Sequence, residues 1–372
     1  MVDPASLRVL FLTRYPIAGA SSRYRVHQYL AYLEEFGVQC EVQSFMDDAL
    51  YALSFSPGRT GNKLVRTFVA VLRRLWVLRR HRRYDAIYMQ RELLPFGPPW
   101  LERWLKRSGA RLVFDYDDAL FIAKPSRYNP LASLFRAPGK VRDLFQLVDL
   151  VVAGNNWLRD QAVAHGATAV TLEVAEDASR FSGPTTKAPG EQIVIGWLGS
   201  TSTVKYLRLI EPVLQDVARR YPHVRFELMG GGDFAMKGVP WTLLPWSLGG
   251  EVEALDRWDI GLMPLPEEDW AKGKSGGKAR TYMAAGVVPV CTGIGYNLEL
   301  IHHGATGLLC RTPDDWASAL ALLVDQPAER AAMAVAARRV VQERFAPRVI
   351  AGQMSTLLRT VVTDGRFGKG SA

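Results

Sequence analysis

Apolar positions fall in short blocks along this chain, and their period switches between that of a strand and that of a helix. Val9–Leu12 is a continuous apolar run, followed by Pro16 and the small residues Gly19–Ser22. A helical pattern then runs from Tyr24 to Phe36 and stops at Gly37, and Val38–Phe45 alternates as a strand does. This is a β-α-β opening. Further strands are predicted at Ala86–Gln90, Leu112–Tyr116, Leu147–Ala153 and Ala169–Val174, with helices at Pro99–Arg107 and Trp157–His165. Asp177–Gln192 is rich in Ser, Thr, Pro and Gly and reads as a linker.

After the linker the pattern restarts. Strands are predicted at Ile193–Leu198, Arg225–Gly230, Ile260–Pro264 and Val288–Thr292. Helices are predicted at Tyr206–Tyr221, Gly277–Ala285, Asp314–Val324, Ala328–Glu343 and Pro347–Val361. Strands alternating with helices in both halves imply an α/β protein of two doubly wound parallel sheets. The expected division is 1–180, 190–345, and a 346–372 segment whose helix packs back towards the first domain before a flexible tail. In such sheets ligands bind beyond the carboxyl ends of the strands, so chemistry is sought in the loops that follow them.

Composition narrows this reading. A chain of 372 residues, 48% hydrophobic and 22% charged, suits two cores better than one. Its longest apolar runs, such as Ala319–Val324, fall far short of the ~18–20 residues of a membrane span. Met1–Arg14 lacks the basic and apolar regions of a signal peptide. Cys40, Cys291 and Cys310 have neither metal-ligand spacing nor an even count for disulfides. A cytoplasmic protein with reduced thiols is expected. The net charge of +9 is uneven: residues 1–187 hold 26 Lys/Arg against 18 Asp/Glu, and residues 188–372 hold 20 against 19. The first half is therefore expected to meet an anionic partner.

Three loops of the second half carry candidate chemistry. Gly199, Ser200 and Thr201 close the first strand of that half, and Lys205 follows at the start of a helix. Backbone N–H groups and the helix dipole suit an anion there, though Ser or Thr capping alone explains the residue types. Lys272, Lys274 and Lys278 are interleaved with Gly273, Gly276 and Gly277 ahead of a helix, a composition suited to a polyanion or simply to a solvated loop. Gly293–Glu299 opens another helix, with Asn297 as an N-cap or with Glu299 and nearby N–H groups holding sugar hydroxyls.

In this order and spacing the loops resemble those of a GT-B glycosyltransferase of the retaining family 4 type. The carrying stretches are Ile195–Ser200, Leu228–Asp233, Trp258–Leu265, Gly273–Lys278, Tyr282–Pro289 and Gly304–Leu309. The resemblance implies two Rossmann-like domains facing a cleft, with the nucleotide-sugar bound by the second. It places Gly199, Ser200, Thr201, Lys205, Lys274, Lys278, Tyr282, Asn297, Leu298 and Glu299 at the donor. Two positions differ from the family pattern. Ser200 stands where an Arg is common, and the Glu-x7-Glu pair falls on Gly273 and Thr281. A similar subgroup carries two lysines in that loop, which Lys274 and Lys278 match. The implied chemistry is retaining sugar transfer, with lysines rather than a metal ion meeting the leaving diphosphate and no cofactor beyond the donor. A nucleotide-sugar epimerase and a non-catalytic sugar-nucleotide-binding protein are the competing readings.

In the first half, Asp117 or Asp118 would face the donor sugar on this resemblance, and both are candidate catalytic residues with Lys274 and Lys278. Capping of a helix at Ala119–Ile122 explains the two aspartates equally well. Asp115-Tyr116-Asp117 also matches the metal motif of the GT-A fold, which would not give two repeated halves. Arg23, Arg25 and Arg91 come from loops after strands and are candidates for an anionic acceptor. Arg59, Arg66, Arg73 and Arg80 recur every seven residues as one helical stripe. Lys63, Arg74, Arg79, Arg82 and Arg83 reinforce it, and Leu64, Phe68, Leu72, Leu75 and Trp76 form another face. This reads either as a peripheral contact with an anionic membrane or as a helix packed on its own sheet. A glycan or lipid-linked acceptor is expected on that charge pattern. No nucleic-acid motif is present.

Overall fold

The computed structural model describes residues 6–56, 58–122, 139–184 and 191–363. Residues 185–190 of the linker and the tail 364–372 lie outside the described residues. The chain divides into two units, Met1–Ala175 with Pro347–Ala372, and Glu176–Ala346.

The first unit contains β1 (Leu7–Thr13), α1 (Ala20–Arg25), α2 (Leu30–Glu35), β2 (Val38–Ser44), α3 (Asp48–Ser54) and α4 (Thr60–Leu78). It continues with β3 (Ala86–Gln90), α5 (Trp100–Arg107), β4 (Leu112–Tyr116), α6 (Lys140–Leu147), β5 (Leu150–Ala153), α7 (Asn156–Ala164) and β6 (Ala169–Thr171). The strands form one sheet in the order β2-β1-β3-β4-β5-β6, all parallel. Every residue of β3 and β4 is buried, as expected of central strands covered on both faces. The predicted Tyr24–Phe36 helix is broken: α1 ends at Arg25, Val26 leaves helical geometry, and a 3₁₀ turn at His27–Tyr29 leads into α2. No helix forms at Ala119–Ile122, where the chain makes a turn instead.

The second unit contains β7 (Ile193–Leu198), a 3₁₀ segment at Val204–Ile210, α8 (Glu211–Arg220), β8 (Val224–Met229), β9 (Trp241–Leu244) and α9 (Leu248–Leu255). Then come β10 (Ile260–Met263), α10 (Asp269–Lys272), α11 (Gly277–Ala285), β11 (Val288–Thr292), α12 (Asn297–Leu300), β12 (Leu308–Cys310), α13 (Pro313–Asp325) and α14 (Pro327–Arg344). Its sheet runs β12-β11-β10-β7-β8-β9, again parallel throughout. Separate apolar clusters cover the two faces, one with Trp197 and Phe226, the other with Trp258 and Tyr282. The capping box of Thr312 and Asp315 fixes the start of α13. The last helix, α15 (Pro347–Thr363), belongs to the first unit, where Ile350, Met354 and Leu358 join Val9, Phe11 and Tyr88 in one core.

Candidate functional site

In the second unit the site is set by glycines that bring backbone and aromatic rings close. Gly196 of β7 and Gly261 of β10 are register partners. A Cβ on Gly196 would lie 2.0 Å from the Trp258 ring, and one on Gly261 would lie 2.4 Å from the Tyr282 ring. Their absence lets Tyr282 of α11 lie flat across the sheet. Its hydroxyl accepts the Leu198 N–H (2.9 Å) and donates to the Leu262 carbonyl (3.2 Å). Tyr282 is fully buried with its hydroxyl engaged on both sides, so the expected direct donor contact is corrected: it ties α11 to the ends of β7 and β10.

That tie fixes Lys278, one turn earlier on the same face of α11. Its Nζ lies 4.1 Å from the Trp197 ring centroid and 3.4 Å from Thr203 Oγ1. A Cβ on Gly199 would stand 2.4 Å from the Trp197 ring and 2.7 Å from this Nζ, so glycine there keeps the ring in place under the ammonium. Lys274 lies 4.2 Å over Trp270, and Trp270 packs 5.9 Å from Tyr206, whose ring carries Lys205 at 5.3 Å. Burial, reinforced by the neighbouring Lys274 charge, pushes Lys278 down to about 7. Two ammonium groups that repel each other at the N-terminus of α11 make a place where an anion relieves the repulsion.

The flanking loops serve partly as expected. Ser200 and Thr201 are exposed, and Ser200 Oγ bonds to Ser202 Oγ at 2.8 Å. The N–H of Gly199, however, is taken by the Met229 carbonyl at 3.0 Å, which removes it as a ligand donor. Asn297 is not an N-cap: its buried amide donates to the Thr292 carbonyl at 3.0 Å. The N–H groups of Asn297, Leu298 and Glu299 all bond to carbonyls three residues back, so the expected cluster of open sugar donors is corrected too. The Leu298 side chain is exposed and Glu299 half-buried.

Residues that the sequence reading missed surround this loop. Thr281, which stands where the family has a glutamate, donates its hydroxyl to Glu176 at 2.7 Å. Glu176 also meets Arg180, and Arg180 bridges to Glu251, which accepts the Trp246 indole N–H at 2.8 Å. Glu176 stands just ahead of the linker, at the first residue of the second unit, so only the fold reveals it. Trp246 is 48% exposed and packs against the close approach of Gly230 and Gly199. An exposed Trp in a Pro-Trp-Ser loop was the one legible signal.

In the first unit, Asp117 accepts the Ser21 hydroxyl at 3.1 Å and has Arg91 at 3.9 Å. Asp118 accepts the N–H of Ala119 at 3.0 Å. Ser21, Ser22 and Gln90 join Asp117 in one hydrogen-bonded rim across the ends of β1, β3 and β4. Arg25 is misplaced by the sequence reading. It is 0% exposed, ion-paired and hydrogen-bonded to Asp115, and it donates to the Leu172 carbonyl, so it is an interior strut and meets no acceptor. With Asp115 sealed inside by Arg25, the Asp115-Tyr116-Asp117 stretch is not an open pair of ligands. Among the described residues no group of three or more His, Cys, Asp or Glu is arranged to hold a metal ion. Arg23 remains at the surface, donating to the Ile17 and Ala18 carbonyls.

α4 turns its apolar face outward. Leu64, Val65, Phe68 and Trp76 are each more than half exposed, with Val69 and Leu72 little less so. Ala70, Arg74, Val77 and Leu78 form the buried face. The helix therefore does not pack its apolar stripe on the sheet. Arg59 precedes it in left-handed geometry, Arg66 is half-buried, Arg73 pairs with Asp47 at 2.9 Å, and Arg80 stacks on Trp76 at 4.0 Å. Arg74 is corrected out of the exposed stripe: it is 1% exposed and donates to the Thr13 carbonyl. Among the described residues no helix is long and apolar enough to cross a membrane.

Residues 192–326 match the family model described as Glycosyl transferases group 1. Among solved structures, HepE of Anabaena, in complex with UDP and glucose, superposes with a TM-score of 0.67 at 16% identity. That match covers 95% of this chain and 100% of HepE. The sucrose-phosphate synthase of Thermosynechococcus elongatus gives 0.67 at 14% identity over 96% of this chain and 100% of that one. A glycosyltransferase from Rickettsia africae gives 0.68 at 12% identity, covering 96% and 99%. No curated protein matches the sequence. The second unit carries the group 1 glycosyl transferase signature, and the chain has the GT-B fold of two Rossmann-like units.

Proposed function

We propose that this chain transfers a sugar from a nucleotide-sugar to an acceptor bound by the first unit, with retention of anomeric configuration, at an anionic membrane surface. The observation that carries the donor side is the placement of Lys274 and Lys278 about the N-terminus of α11, opposite the glycine gap at Gly199. As the sugar leaves, charge grows on the diphosphate, and preorganised cations stabilise it without reorganisation. Lys205 and the backbone around Ser200 and Thr201 complete the donor surface. The cations supply what a metal ion would otherwise supply, so EDTA is expected to leave turnover largely intact. Asp117 and Asp118 serve the sugar and acceptor hydroxyl, and Leu298 and Glu299 flank the donor sugar. Retention is carried by the family resemblance.

The membrane reading rests on the outward apolar face of α4 bordered by arginines, a combination suited to a bilayer interface with anionic headgroups. It favours a lipid-linked or cell-envelope glycan acceptor and weighs against an epimerase, which has no reason to approach lipid. UDP and UDP-glucose are the first donors to test, because HepE has been seen with each. The test is turnover of UDP-sugars by the purified chain, with and without anionic vesicles. Nucleoside diphosphate release that requires acceptor supports transfer. Binding of no nucleoside diphosphate or nucleotide-sugar at millimolar concentration would overturn the reading.

A further inference from the structure

One buried cation of the first unit forms no ion pair among the described residues. Arg74 sits on the inner face of α4, 1% exposed, and donates one N–H to the Thr13 carbonyl at 2.8 Å. Its Nε is buried with no hydrogen-bond partner, and among the described residues Arg74 forms no ion pair. The guanidinium carbons of Arg14 and Arg74 lie 5.9 and 5.8 Å from the centroid of the same ring, Phe45. Burial and the Arg14 charge push Arg74 down to about 9, with Glu102 offsetting only part of this. Glu102 is itself occupied by Lys140 at 3.4 Å.

A buried charge without a partner is among the costliest arrangements a fold can hold, and two like charges on one ring make it worse. Arg91, the residue after β3, lies among Tyr15, Asp117, Asp118 and Glu92. Its backbone is left-handed (φ 69°), a conformation rare for a residue with a side chain, and its Nε is also buried without a partner. Its guanidinium lies 5.8 Å from Tyr15, the neighbour of Arg14, and its carboxylate Asp117 stands off at 3.9 Å. These features gather at the carboxyl ends of β1, β2 and β3, where a parallel sheet binds ligands.

Resting on the reading of the first unit as the acceptor side, we propose that Arg14 and Arg74 hold a phosphoryl or pyrophosphoryl group of the acceptor. A single carboxylate is satisfied by one guanidinium fork. A phosphoryl group presents three oxygens and a near-double charge, which matches two forks converging from different elements. The arrangement also explains why α4 carries an arginine on its inner face while its outer face is apolar: the same helix meets a lipid and that lipid's phosphate.

The test is a thermal-shift titration of the full chain carrying Lys278→Met, so that the donor lysine does not contribute, with inorganic pyrophosphate as probe. Pyrophosphate is expected to raise the melting temperature, and adding Arg14→Gln is expected to weaken that binding about tenfold or more. Arg14 is half-buried on a loop, so this variant keeps the proposal testable if Arg74→Met fails to fold. Equal pyrophosphate binding with and without Arg14→Gln, or no binding in either, would overturn the cradle. A water-soluble short-chain alkyl pyrophosphate separates the sources. Arg14-dependent binding tighter than that of pyrophosphate assigns a lipid-linked group, and equal Arg14-dependent binding assigns a free one. The donor reading has its own readout, stabilisation of the unmodified chain by UDP, which does not enter this comparison.

Discussion

Replacing Lys278 with methionine should make the free protein more stable and unable to hold its donor. In the free chain this ammonium lies between Trp197 and Thr203, half-buried, with Lys274 adding repulsion. Its pKa falls from 10.5 to about 7. At 1.36 kcal/mol per unit that sets a ceiling of ~5 kcal/mol, and partial exposure and screening reduce it to ~1–3 kcal/mol. The folded value lies below the unfolded one. Between pH ~7 and ~10.5 the unfolded chain therefore binds the extra proton, and stability rises with pH across that window. Below pH ~7 the full cost is present. Lys278→Met should thus raise the melting temperature by ~2–8 °C at pH 6.5, and the gain should fade as pH approaches 10.

The same shift predicts how donor binding depends on pH. A bound diphosphate keeps Lys278 charged, so above pH ~7 binding must take up a proton. UDP affinity should then weaken by up to ~10-fold per pH unit, until the bound-state pKa is reached. Calorimetry in two buffers of different ionisation enthalpy should show uptake of up to one proton in the unmodified chain and none in Lys278→Met. Saturating UDP at ~100 times its dissociation constant should stabilise the unmodified chain by ~2.7 kcal/mol and the variant by almost nothing. A variant less stable than the parent at pH 6.5 would refute the electrostatic argument, as would one that keeps its UDP-induced shift.

Three further outcomes are expected. The chain should sediment with anionic vesicles at low salt and be released near 1 M salt, where the Debye length is ~3 Å; Phe68→Asp with Trp76→Asp should abolish binding, and equal binding to neutral vesicles would contradict the role given to the arginines. Tyr282→Phe should cost ~1–3 kcal/mol in urea unfolding, because it leaves the Leu198 N–H without its partner, and should lower kcat through displaced α11; unchanged stability and kcat would remove its positioning role. Asp115→Asn should cost ~3–5 kcal/mol, since Arg25 is then left charged inside the sheet; a neutral effect would mean that Arg25 reaches solvent.

Central strands were legible because burial on both faces gives a nearly continuous apolar run, broken in Leu112–Tyr116 only by Asp115. Ala86–Gln90, Leu112–Tyr116, Ile193–Leu198 and Val288–Thr292 are bounded in the structure as the pattern predicts. The edge strand Trp241–Leu244 was not legible, since half its positions face water and no run forms. The three-residue Leu308–Cys310 was too short to show a period. The glycines of the proposed donor loop were visible as letters, but their purpose was not. Gly199 matters because a Cβ there would meet the Trp197 ring on which Lys278, 79 positions later, rests.

Charge was the least reliable guide, and the reason is physical. A sequence reading assigns every arginine to the surface because an isolated buried charge is prohibitive. Arg25 escapes that rule through Asp115, whose distance along the chain hides the pairing that β4 creates. Arg74 escapes it differently. It lies one position from Arg73, in a heptad stripe that the sequence alone makes continuous, and the helix's inward roll separates the two. Arg73 meets water and Asp47, while Arg74 faces Phe45 and Arg14. Spacing placed the stripe on one face of a helix. It could not say which face the body of the protein would cover, because the apolar stripe that normally answers that question is the one left outside. The covered face, Ala70, Arg74, Val77 and Leu78, carries one charge among apolar residues, while Leu64, Phe68 and Trp76 stay in the open; the proposed lipid contact and the proposed phosphoryl cradle each take one of these two faces.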